Sequence, residues 1–501
     1  MNMKSLLFIA LLSLNLSVFA GPRSFEPDQT VVTKHTTEIG GRKVKYQATT
    51  GTQPLWDEQG NEVAGLFFTY YQRTDIKHPE KRPLLISFNG GPGSGSVWMH
   101  IAYTGPRAIN VDPEGYPLQP YGTKSNPHSV LDVADIVFVN PVNTGYSRLV
   151  PNAEGKLPSK DEQQKKYFGV NADVKYLAQW LNTFVTRQNR WRSPKYLIGE
   201  SYGTVRVSGL ALELQNAQWM YLNGVVLVSP TDIGIKREGP VRQANRLPYF
   251  AATAWYHKVL PARLQNMKFE TMLEEVERYA INNYLPALAK GTTLNGEERQ
   301  KVASKVSEYS GLTLEDVLDS NLEIETRFFW KSLLKKDKRT VGRLDSRYLG
   351  IDKKNVGDAP DYSAELTSWL HSFTPAINHY IRNELNYETD IQYQMLSRKV
   401  YPWDRRNNNT GEQLRLAMAE NPYLNVMIQS GYFDGATNYF DAKYNMWHLD
   451  PSGIMKDRIS FKGYMSGHMM YLRKEDLKQS NQDLRSFIIN SMVDTKTPAK
   501  Y

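Results

Sequence analysis

The residues best suited to chemistry lie in the run Gly199-Glu200-Ser201-Tyr202-Gly203, which directly follows an apolar stretch at 195–198 and precedes a helical pattern. A serine flanked in this way by glycines suits a tight, strained turn from strand to helix, where bulky neighbours would clash. The turn lifts the hydroxyl above a sheet and sets it beside a helix N-terminus. Serine is a poor nucleophile until a base takes its proton, and that base is usually a histidine oriented by a carboxylate. The same motif can also be a plain structural turn, so its partners must be sought elsewhere in the chain.

On a strand-turn-helix nucleophile the partners follow in the order serine, acid, histidine, each in a loop after a later strand. The apolar run 424–428 leads into Gln429-Ser430-Gly431-Tyr432-Phe433-Asp434-Gly435, and the run 459–461 leads into Gly467-His468. Asp434 and His468 therefore complete a candidate triad with Ser201. An aspartate beside glycine is also a common turn former. Asp441 and Asp450 are alternative acids, although neither directly follows a strand ending. His448, between Trp447 and Leu449, has surroundings better suited to packing.

A second glycine-rich segment, Asn89-Gly90-Gly91-Pro92-Gly93-Ser94-Gly95-Ser96, follows the apolar run 83–88. It lacks the lysine of a phosphate-binding P-loop, and Ser96 occupies the third glycine place of a dinucleotide fingerprint. An oxyanion loop is the better reading: bare backbone N–H groups there, with the N–H of the residue after the nucleophile, would face developing negative charge. No metal site emerges, since His371 and His379 share an apparently helical stretch without closer ligand partners.

Positioning these residues calls for a particular order of elements. Short strands are expected at 43–46, after a Gly-Gly turn, and at 65–71. Compact apolar runs follow at 83–88, 135–139, 195–198 and 224–228, with a helical pattern at 170–186. Such buried strands alternating with helices imply a mainly parallel sheet covered on both faces. From 235 to 400 the character changes: amphipathic helices are expected at 269–288 and 297–309, with Thr313 capping a third. Strands resume at 424–428 and 458–461. The expected division is a core at 21–234, a mostly helical cap insertion at 235–400, and the rest of the core at 401–501.

Residues 1–20 read as a signal peptide, with Lys4, an apolar region, and Val18-Phe19-Ala20 before Gly21. The mature chain is then expected to be exported, periplasmic or secreted, without a membrane span. With no cysteine among 501 residues, disulfides and a thiolate nucleophile are excluded. A large exported chain without disulfides fits a bacterial periplasm. The formal charge of +9 is spread over short clusters such as Lys335-Lys336 and Arg405-Arg406. That distribution suits a solvated surface rather than nucleic-acid binding. The composition carries no information on oligomeric state.

The four blocks 89–96, 140–147, 199–203 and Asp434 with Gly467-His468-Met469 together make the chain resemble the serine carboxypeptidase family, as a bacterial-type member. The resemblance implies an α/β-hydrolase fold and a triad of Ser201, Asp434 and His468. It implies oxyanion donors from the backbone of Gly91 and Tyr202, and no cofactor. It also implies that Asn89, Gly90 and Glu200 receive the free C-terminal carboxylate of a peptide substrate, with Met469 near the leaving residue. An ionised Glu200 would repel that carboxylate, so Glu200 is expected to be protonated when substrate binds. The family often pairs this glutamate with a second one, but Tyr103 stands at that place, before Gly105-Pro106. The lack of cysteine is a second departure from eukaryotic relatives. The same triad would also serve an acyltransferase or esterase, and a non-catalytic binding protein could share the scaffold.

Overall fold

The computed structural model describes residues 25–235, 237–492 and 498–499. The proposed signal peptide lies outside them. A ten-stranded sheet runs through the molecule. It begins with three antiparallel strands, β1 (Thr30–Ile39), β2 (Arg42–Trp56) and β3 (Glu62–Arg73). The first two meet across Gly40 and Gly41, whose φ values of 55° and 77° fit the two-residue turn that follows strand twist. The remaining long strands are β4 (Leu84–Phe88), β5 (Asp135–Val139), β6 (Lys195–Glu200), β7 (Gly224–Val228), β8 (Asn425–Gly431) and β9 (Ile459–Tyr464). The spatial order is β1-β2-β3-β5-β4-β6-β7-β8-β9, with every pair from β5 onward parallel. The short strand Arg148–Leu149 pairs with β3 off this path.

The apolar runs are continuous because both faces of the sheet are buried. Along β6, Tyr196 and Ile198 point into one core and Leu197 into the other. The same alternation holds in β7, with Val226 and Val228 opposite Val225 and Leu227. One face is covered by α1 (Val170–Arg187), α2 (Tyr202–Gln218) and α8 (Thr410–Glu420). The other is covered by α7 (Ala364–His379) and α10 (Lys474–Asn490).

A third cluster is built mainly by helices that follow β7: α3 (Pro240–Tyr256), α4 (Phe269–Tyr279), α5 (Gly296–Ser310) and α6 (Leu314–Asp319). Phe433, Tyr439 and Phe440, from the chain after β8 and the start of α9 (Tyr439–Leu449), complete it. Thr313 caps α6, accepting from the Asp316 N–H at 3.1 Å, with the Asp316 carboxylate returning to the Thr313 N–H. The helix expected over 269–288 is interrupted: after α4 the chain makes a π-turn at Ala280–Tyr284 before resuming at Leu285–Lys290. Pro286 cannot donate to an i−4 carbonyl, so the regular ladder cannot continue through it.

Candidate active site

Ser201 stands between β6 and α2, with φ 58° and ψ −124°, a strained backbone for a side-chain-bearing residue. Its N–H donates to Val228 O at 2.9 Å, tying the turn to β7. The turn closes only because Gly199 lacks a side chain: a Cβ there would lie 2.2 Å from Gly203 O. The N–H of Tyr202, the first in α2, has no intrahelical acceptor and lies at the helix end beside Ser201, whereas that of Thr204 returns to Ser201 O at 2.9 Å.

Asp434 is fully buried and receives donors on both oxygens. The N–H groups of Ala436 and Thr437 reach Oδ1 at 2.9 and 3.0 Å, and the Thr437 hydroxyl donates to Oδ2 at 2.6 Å. His468 Nδ1 lies 2.6 Å from the same Oδ2. Burial pushes the His468 imidazole down, but the charge and hydrogen bond of Asp434 outweigh it, and the ring sits above its ordinary range. The pair is thus arranged to stabilise an imidazolium. Asp441, by contrast, receives the Asn245 amide, Asp450 closes a local turn with Ser452 and Met455, and His448 bonds Tyr444 O.

The loop after β4 packs directly on the serine turn. A Cβ at Gly90 would stand 2.4 Å from Tyr202 N and 2.6 Å from Glu200 O. Several groups hold this loop: Arg206 Nη1 donates to Asn89 O at 2.7 Å, Ser397 N–H to Gly93 O at 2.8 Å, and the Tyr401 hydroxyl to Gly91 O at 2.9 Å. Arg206 is itself buried and paired with the buried Asp173 at 2.7 Å.

Glu200 is buried beside this loop. The Asn89 amide donates to its Oε2, and the Tyr471 hydroxyl reaches the same oxygen at 2.8 Å. Burial raises its carboxyl to about 7, against the smaller opposing influences of His468 and the two donors. Among the described residues no second glutamate bonds to it. Tyr103 stacks on Tyr471 with centroids 4.8 Å apart and donates to Gln429 Oε1 at 2.6 Å, so it buttresses the tyrosine that holds Glu200.

Ser201, His468, Gly91 and Tyr202 share the wall of one cavity of about 540 Å³. Asn89, Glu200 and Met469 are buried and do not line it. Sequence reasoning missed Thr437 and Tyr471, each three residues beyond a triad candidate. It also missed Arg206, five residues past the serine. It assigned Arg405 to a solvated charge cluster, whereas Arg405 lines the cavity together with Arg343. None of these residues belongs to a motif; each is found only through its contacts.

A family model described as Serine carboxypeptidase matches residues 47–469. Among curated proteins, the chain is 28% identical over 256 residues to serine carboxypeptidase-like 36 of Arabidopsis thaliana, covering 48% of this chain and 49% of that protein. It is 32% identical over 102 residues to the pheromone-processing carboxypeptidase KEX1 of Saccharomyces cerevisiae (strain JAY291), covering 20% and 13%. The chain thus spans about half the length, or less, of the curated relatives it matches. In three dimensions it resembles the crystal structure of KEX1(delta)p, a prohormone-processing carboxypeptidase from Saccharomyces cerevisiae. The TM-score is 0.55 at 16% identity, covering 90% of this chain and 93% of that one. The fold, with its parallel sheet and strand-turn-helix serine, is that of the α/β-hydrolases.

Proposed function

The chain belongs to the serine carboxypeptidase family, and we propose that it releases C-terminal amino acids from peptides through an acyl-enzyme on Ser201. The observation that carries this reading is Glu200, a buried carboxyl next to Ser201 that burial keeps protonated up to about pH 7. Both of its donors bond Oε2, which leaves Oε1 to carry the proton. A protonated Oε1 can donate to a carboxylate, whereas an ionised one would repel it. Asn89 and the Gly90 backbone, in contact with the same turn, are the companions proposed for that carboxylate. Met469 is proposed to border the leaving residue.

His468 takes the Ser201 proton as the hydroxyl oxygen attacks the last peptide carbonyl. Asp434 holds the imidazole in the tautomer that leaves Nε2 free and stabilises the imidazolium that forms. The N–H groups of Gly91 and Tyr202 receive the oxyanion; loss of one such donor costs about 3 kcal/mol of transition-state stabilisation. His468 then protonates the departing amine, and water cleaves the acyl-enzyme by the same route. The chemistry needs no cofactor.

We further propose that residues 1–20 direct export, to a bacterial periplasm or the exterior, and that the chain divides into a core at 21–234 and 401–501 with an insertion at 235–400. Among the described residues no helix is long and apolar enough to cross a membrane.

The test compares N-blocked dipeptide acids with their C-terminal amides from about pH 4 to about pH 8. Release of the last residue from the acid alone, favoured at the acidic end, is expected. Equal cleavage of both, or hydrolysis of simple esters without either, would overturn the carboxypeptidase reading.

A further inference from the structure

Two guanidinium groups, those of Arg343 and Arg405, line the cavity that holds Ser201 and His468. Both side chains are exposed, and neither makes an ion pair or a side-chain hydrogen bond among the described residues. The carboxylates nearest to them in sequence have other partners. Asp345, two residues from Arg343, is bound by Arg347 at 2.6 Å, and Asp404, beside Arg405, is bound by Arg406 at 2.8 Å. Asp232 also lines the cavity, where it receives the Gly234 N–H at 2.8 Å. Two positively charged residues therefore line the cavity beside one carboxylate that is joined to neither.

The backbone at Arg343 is anchored. Its carbonyl receives the Gly435 N–H at 3.0 Å, from the residue after Asp434, and the neighbouring Leu344 carbonyl receives the His468 N–H at 2.6 Å. The segment is thus fastened to both loops that carry the partners of Ser201. Its charge is also near enough to His468 to oppose protonation of the ring.

We propose that Arg343 and Arg405 form a subsite for an acidic side chain on the acyl side of the scissile bond, so that the preferred substrates carry Asp or Glu immediately before the C-terminal residue. This rests on the carboxypeptidase reading. The groups assigned to the terminal carboxylate, Asn89 and Glu200, are buried and do not line the cavity, so the open cavity is left for the chain that precedes the terminal residue. A carboxylate entering it gains charge-assisted hydrogen bonds with guanidinium groups that have no side-chain partner among the described residues.

The experiment measures kcat/KM for N-blocked dipeptide acids with Glu, Gln or Lys as the penultimate residue. Glu is expected to exceed Gln by about tenfold, the size of one charge-assisted hydrogen bond, with Lys poorest and the preference shrinking as salt is raised. Within the double variant Arg343→Gln, Arg405→Gln the Glu/Gln ratio is expected to fall to near one, a comparison insensitive to overall loss of activity. The double variant Arg343→Glu, Arg405→Glu should instead favour Lys, a gain that misfolding cannot produce. Equal rates for Glu and Gln in the unaltered protein would overturn the subsite. So would a ratio unmoved by the Gln variants, or selectivity for Glu at the terminal instead of the penultimate residue. If none of the acids is cleaved while a fluorophosphonate still labels Ser201, the carboxypeptidase reading itself falls and the subsite with it.

Discussion

Glu200 is a carboxyl group withdrawn from water in order to bind another carboxyl group, and this ties stability to activity. Its ordinary value of 4.5 holds in the unfolded chain, and burial raises it to about 7 in the fold. Below 4.5 both states are protonated and the burial is tolerated. As pH climbs through the folded value, the unfolded chain sheds its proton more readily and stability falls. Glu200→Gln removes that penalty, so at pH 8 the variant should be more stable than the parent by up to about 3 kcal/mol, and by little at pH 4. Urea unfolding at the two pH values checks this; an equal gain at both would mean that ionisation is not responsible. The same substitution should make the acid-to-amide preference independent of pH, whereas in the parent that preference declines above about pH 7. Tyr471 and Tyr103 belong to this account, because they keep the glutamate in place without adding a second negative charge.

At the scale of elements, the serine turn is fixed by what packs against it. Arg206 on α2 joins Asp173 on α1 and the carbonyl of Asn89 in the loop after β4, with all three groups buried. Replacing Arg206 by Met leaves Asp173 buried without its counter-charge and should destabilise the protein by about 3–5 kcal/mol, with activity falling as the oxyanion loop loosens. Adding Asp173→Asn should restore much of the stability but not the activity, because the Asn89 carbonyl still lacks its donor. Thermal unfolding and kcat on an ester substrate separate the two effects. Recovery of both together would reduce Arg206 to a purely structural role.

For the whole molecule, the helices after β7 share a core with the loops of the site. Phe433, beside Asp434, and Tyr439 and Phe440 at the start of α9 pack among α3, α4 and α5. The segment from 364 onward is embedded on the sheet itself, with Trp369, Phe373 and Ile377 in the same core as Tyr196 and Ile198. The proposed insertion and the sheet should therefore unfold in one calorimetric transition rather than two, since neither can lose its packing without exposing the other. Two resolved transitions, with the insertion melting first, would contradict this.

Much of this protein is determined locally. The apolar runs that became β4 to β8 were legible because strands buried on both faces need near-continuous Val, Ile, Leu and Phe. The serine turn was legible because a tight strand-to-helix reversal excludes Cβ atoms at Gly199 and Gly203. The Thr313 cap was legible because its partner lies within one helical turn. Order along the chain then singled out Asp434 and His468. The π-turn after α4 was not foreseen, although Pro286 gives a local reason for it. Tertiary structure alone decided what approaches from afar. Tyr471 lies 271 residues from Glu200, and Asp434 lies 34 from His468. The rise of Glu200 to about 7 depends on burial by many segments, which no motif encodes. Arg405 reads as an ordinary surface charge in the sequence and Arg343 carries no signal there; folding places both on the cavity wall with Ser201 and commits their neighbouring carboxylates to other partners.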